Sequence, residues 1–239
     1  AFAKYGKIRR GGQHARPEFT NIAWYAMLIS AGMGIGLMFW GVAEPAAYYT
    51  DWYGTPLDIA PYTTEARTAA LGATMYHWGL HAWAIYAVVA LALAFFAYNK
   101  GLPLTIRSTF YPLLGDRVWG PVGNVIDVTA VLATIFGLAT SLGFGAQQAA
   151  GGLEFLFGLG KGLSTQLLII AGVTCVALIS VVRGIDGGVK LLSNINMSLA
   201  FLLLLFVVVV GSVGEFVRHF GETLDGYASY ILPLSNPFG

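Results

Sequence analysis

The residues best suited to chemistry lie in one apolar stretch, Met75–Tyr86, which reads MYHWGLHAWAIY. On a helical wheel Trp78, Trp83 and Tyr86 fall at about 0°, 140° and 80°, so they can face one cavity. Aromatic faces attract quaternary ammonium groups through cation–π contacts with little need of a formal counter-charge. Packing of the rings into a core is the competing reading. His77 and His81 have an i, i+4 spacing that suits a metal. No Glu follows in the HExxH manner and no carboxylate is near, so zinc is rejected and hydrogen bonds to neighbouring helices are expected.

A second feature is the run Gly32-Met33-Gly34-Ile35-Gly36 inside another apolar segment. Glycines at this density weaken a helix and can free carbonyl oxygens to coordinate Na⁺. Close packing against a neighbouring helix explains the same residues, and spacing alone leaves both open. Asp127 and Glu44 are the intramembrane acids, functional candidates by default, though both are expected near helix ends, with Glu44 and Pro45 closing the first span. No nucleophile–base set, phosphate loop or paired carboxylate is present. Catalysis, a metal and a resident cofactor are therefore not expected.

The elements that must position these residues are membrane helices. Of 239 residues, 56% are hydrophobic and 10% charged, whereas soluble domains carry about 25% charged residues. A water-surrounded fold is not expected. The net charge of +1 gives no reason to expect nucleic acid. Cys175 stands alone in an apolar run, excludes an internal disulfide, and is expected to be a small buried hydrophobe. Five segments approach the ~20 residues a span needs: Ile22–Val42, Ala69–Ala97, Val122–Ala146, Ser164–Val182 and Leu192–Val213. At about 1.5 Å per residue, Met33, Trp83 and Thr134 all reach the midplane of a core about 30 Å thick. Transporters bind substrate and ions there, on interrupted helices.

Lysine and arginine number ten on the N-terminal side of these spans and three on the other. The N-terminus is therefore expected in the cytoplasm. Residues 1–21 form a cytoplasmic arm, 22–213 the five-helix region, and 214–239 an external amphipathic helix and tail. Tyr48, Tyr49, Trp52, Tyr53 and Tyr62 in the segment 46–68 read as an interfacial aromatic belt. Five helices with termini on opposite sides are what half of an inverted-repeat transporter contains. A start at Ala1 rather than Met suggests part of a longer protein.

The segments NIAWYAMLISAGMGIGLMFWGVAEP, HWGLHAWAIYA, DVTAVLATIFGLATSLGFGAQQ and LLSNINM resemble successive parts of the betaine/carnitine/choline transporter (BCCT) family. The resemblance implies an all-α membrane protein. Five transmembrane helices, similar to the family's helices three to seven, would form the first half of a five-plus-five inverted-repeat (LeuT-like) transporter fold. It implies that Trp78, Trp83 and Tyr86 are three members of an aromatic box for a trimethylammonium substrate. It makes Met33, with the backbone around Ser30 and Ala31, half of a sodium site, and Gly32, Gly34 and Gly36 the helix break. Thr134 matches a ligand of a second sodium site whose other threonine is Leu138 here. Choline-transporting members carry aspartate where this chain has Gly36, which favours a betaine-like zwitterion. A homotrimer in the inner membrane is also implied.

The expected function is Na⁺-coupled symport of a quaternary-ammonium compound by alternating access. The alternatives are a sodium-independent precursor/product antiporter of carnitine type and a non-transporting five-helix membrane subunit.

Overall fold

Away from water a backbone must satisfy its own polar groups, and these apolar runs do so as helices. The computed structural model describes residues 6, 8–9, 11–12, 14–32 and 34–236. Ten α-helices and no strand occur among the described residues: α1 Asn21–Gly32, α2 Ile35–Tyr49, α3 Thr64–Trp78, α4 Leu80–Ala94, α5 Ile106–Thr109, α6 Tyr111–Leu114, α7 Pro121–Phe157, α8 Leu163–Val182, α9 Lys190–Val210 and α10 Val213–Leu234. The chain divides into two compact units, residues 19–82 with 141–239 and residues 1–18 with 83–140.

In the larger unit most buried apolar side chains are small, among them Ala23 and Ala26 of α1, Ala47 of α2, and Ala66, Ala69, Ala70 and Ala73 of α3, while Tyr227 of α10 is a large one. Large side chains such as Leu168, Val182, Leu199 and Phe206 point outward. This inversion suits a lipid-facing exterior, because close backbone approach, rather than burial of leucine, is what brings helices together there. Helix α3 packs against both α2 and α10, and α1 packs against α9. Thr63 starts α3 by accepting a hydrogen bond from the Ala66 amide at 3.0 Å, and Thr20 serves α1 the same way through Ala23. Helix α9 ends at Gly211, and α10 follows after Ser212.

The smaller unit contains most of α4, a π-turn at Phe95–Asn99, the short helices α5 and α6, and the first part of α7. Its most deeply enclosed residues are Val118 and Ser108.

Among the described residues, four segments are long and apolar enough to cross a membrane: Thr64–Asn99, Pro121–Phe157, Leu163–Val182 and Ile185–Val210. They contain the last four segments expected from hydropathy, except that α9 stops at Val210. The first segment is different. It consists of the 12-residue α1 and the 15-residue α2, each too short to span alone. Helix α2 also runs on past Pro45 to Tyr49, so Glu44 lies within a helix instead of closing it, and Tyr48 and Tyr49 are helical. Pro45 is tolerated because helix turns can absorb one lost donor where neighbours pack closely. Cys175 is exposed, not buried, since an apolar helix in lipid turns hydrophobes outward as readily as inward. Helix α10 does carry the amphipathic pattern, and it packs along α3.

Candidate functional site

Helices α2 and α3 meet at a buried carboxylate. Glu44 is 6% exposed and accepts two hydrogen bonds from consecutive residues at the end of α3. The Trp78 indole Nε1–H donates to Oε2 at 2.6 Å, and His77 Nδ1 lies 2.5 Å from Oε1. Beside them is an open cavity of about 420 Å³ lined by Trp40, Glu44, Tyr48, Tyr53, His77 and Trp78. Trp40 stands 6.1 Å from Tyr53, ring centre to ring centre, and 6.5 Å from Phe144. The walls are therefore largely π-faces around one acid.

Immediately after Trp78 the helix breaks. Gly79 has φ −94° and ψ −143°, and its amide still donates to the Met75 carbonyl at 2.7 Å. A Cβ at this position would lie 2.3 Å from that carbonyl oxygen, so glycine is required. The helical wheel that placed Trp78, Trp83 and Tyr86 on one face assumed an unbroken helix, and Gly79 removes that assumption. Trp78 belongs to the larger unit, Trp83 and Tyr86 to the smaller. On α4 the Trp83 and Tyr86 rings are 6.2 Å apart and tilted by 55°. Both are exposed, at 39% and 71%, which leaves their faces open.

In the glycine run, α1 ends at Gly32 and α2 begins at Ile35, with Gly34 extended between them at φ −95°, ψ −177°. Gly36 is in the first turn of α2, and Ala31 in the last of α1. Met33 lies outside the described residues. Ser30 donates its hydroxyl to the Ser193 carbonyl at 3.1 Å, tying α1 to α9.

Thr134 donates its hydroxyl to the Ala130 carbonyl at 2.9 Å within α7. This turns the proton away and leaves the oxygen lone pairs free for a cation. Thr134 shares a cavity of about 410 Å³ with Asp127, Thr105 and Leu104. Asp127 is ion-paired with the Arg107 guanidinium and accepts the Arg107 backbone N–H at 3.0 Å, fixing α5 against α7.

The histidines reach different helices. His77 bonds Glu44 of α2, while His81 Nδ1 lies 2.8 Å from the Tyr227 hydroxyl of α10. Further along the same seam Arg67 of α3 meets Glu222 at 2.8 Å and His219 Nδ1 at 2.7 Å. Sequence reasoning missed the Glu44–Trp78 bond and the Gly79 break. The HWG triplet carried a signal for the second only.

The sequence model described as "BCCT, betaine/carnitine/choline family transporter" matches residues 1–238. A glycine betaine/proline/choline/ectoine transporter of Vibrio parahaemolyticus is 58% identical over 241 residues, covering 100% of this chain and 42% of that protein. The glycine betaine transporter OpuD of Bacillus subtilis is 47% identical over 234 residues, covering 98% and 45%. The high-affinity choline transport protein of Escherichia coli is 40% identical over 240 residues, covering 95% and 35%. The chain thus spans less than half the length of these relatives.

Proposed function

The chain belongs to the betaine/carnitine/choline transporter family, a family of transporters and not of enzymes, and from that premise we propose that it supplies one half of a carrier for quaternary-ammonium compounds. The observation that carries this reading is the Trp83–Tyr86 pair, two open aromatic rings 6.2 Å apart on an apolar helix. A trimethylammonium group is bulky, weakly hydrated and permanently charged, so π-faces hold it with little need of a formal counter-charge. By resemblance to the family, Trp78 is assigned to the same substrate site. Relatives carrying glycine betaine and choline in their names favour this substrate class, and Gly36 favours a zwitterion of betaine type.

The coupling ion is Na⁺. One site uses the backbone at Ser30, Ala31 and Met33, next to the point where α1 gives way to α2. A second uses Thr134. Sodium at the interruption favours a closed aromatic cage, and the helices rock around that fixed site in alternating access. In this arrangement α1 and α2 together form the first of five spans in an inverted-repeat fold. The N-terminus faces the cytoplasm, residues 1–21 form the arm, and residues 214–239 lie outside. The protein resides in the inner membrane as a homotrimer.

Uptake of radiolabelled glycine betaine by the complete protein in liposomes, with and without an inward Na⁺ gradient, tests the coupling. Sodium-dependent accumulation is expected. Sodium-independent uptake that requires counter-substrate inside would mean an exchanger instead.

A further inference from the structure

We propose that Glu44 is a positioning residue for substrate recognition, acting through the indole of Trp78. The inference rests on the cage reading above, since it concerns how one wall of that cage is held.

Trp78 is the last residue of α3, and the break at Gly79 follows it. A side chain at a broken helix end lacks the next turn that would pack on it, so something else must fix its rotamer. The indole has one donor and no acceptor. Here that donor meets a carboxylate oxygen at 2.6 Å, a charge-assisted bond of about twice the strength of a neutral one. His77 occupies the other oxygen at 2.5 Å, which prevents the carboxylate from rotating away. Glu44 itself is held within α2 at 6% exposure. The chain from α2 to the ring is therefore short, and both carboxylate oxygens have partners. The same bond draws electron density toward the ring, because the N–H of the indole faces an anion. A negative ring face is what a trimethylammonium group binds. Glu44 thus orients Trp78 and strengthens its ring face, acting through the indole.

The test is glycine betaine uptake by the full-length transporter in liposomes. It compares Glu44→Gln, Trp78→Phe and the double variant, with Trp83→Ala alongside. Glutamine keeps the volume of Glu44 but not its charge, and phenylalanine keeps a ring but not the N–H. Each single change should raise KM about tenfold while Vmax stays within about twofold. The double variant should be no worse than either single one. Multiplied effects, about a hundredfold, would overturn the proposal, as would a lower Vmax at unchanged KM in Glu44→Gln. Should Glu44→Gln fail to insert, Trp78→Phe alone decides, because an unchanged KM there overturns it. Trp83→Ala separates the two readings. If its KM is unchanged, the cage itself is wrong. If its KM rises while the Glu44 and Trp78 variants are normal, only the positioning role falls.

Discussion

Gly72 of α3 and Gly226 of α10 cross backbone to backbone. A Cβ on Gly72 would lie 2.6 Å from the Gly226 carbonyl oxygen, and one on Gly226 would lie 2.6 Å from the Thr68 oxygen. Neither residue has room for a methyl group. The contact seats α10 on the helix that carries His77 and Trp78. Gly72→Ala or Gly226→Ala should therefore lower the unfolding temperature of the detergent-purified protein, through an overpacking cost of about 1–3 kcal/mol. Gly221→Ala, on the same helix with open space around it, should be neutral or slightly stabilising.

Gly79 makes a different prediction, because its neighbour is its own helix. Gly79→Ala would drive a Cβ to 2.3 Å from the Met75 oxygen and force the break to reshape. Both thermal stability and uptake should fall. Normal uptake at normal stability would show that the break does not matter to the aromatic residues on either side of it.

The Arg107–Asp127 pair is half-buried, and Asp127 also satisfies the Arg107 amide. Removing the acid leaves two donors unpaired. Asp127→Ala should cost about 1–3 kcal/mol, with a coupling of at least about 0.5 kcal/mol in a double-mutant cycle with Arg107→Ala. Additive effects would mean that the pair does not hold α5 to α7.

The surface of α10 predicts a pH dependence. The Arg218 guanidinium beside Glu215 holds its carboxyl below the usual range, and hydrogen bonding to His219, with the charges of Arg67 and Arg218, does the same for Glu222. Lowered folded values mean stability that is present above the ordinary glutamate pKa of about 4.3. It is lost as pH falls through the lower folded values. Both groups are solvent-exposed, so the effect is small and weakens in salt. Unfolding temperature measured from pH 7 down to pH 3 should fall, and Glu222→Gln should reduce that fall.

Much of this architecture is readable from residue order. The last four hydropathy segments lie where long helical stretches form, the first of them divided into α3 and α4 at Gly79, because about 20 apolar residues with few charges favour helix in lipid. The ends were less legible. Glu44 looked terminal beside Pro45, yet α2 continues to Tyr49, since a proline removes one donor without forbidding the next turn. The Gly79 break was hidden because one glycine in an apolar helix is ambiguous. Cys175 was misplaced because burial in a membrane helix is set by which neighbours it has, which hydropathy does not encode. The Glu44–Trp78 bond joins residues 34 apart in sequence, and no local pattern announces such a contact. The histidines do bond neighbouring helices as expected, but the expectation that no carboxylate lies near them fails, because Glu44 reaches His77 from 33 residues away in sequence.

The central claim is that the open rings of this chain hold a trimethylammonium group. Equilibrium binding of radiolabelled glycine betaine to the purified full-length protein, compared with Trp83→Ala, tests it most directly. Saturable binding is expected in the wild type, with a Kd raised at least about tenfold in Trp83→Ala. Equal affinity in the two proteins would contradict it.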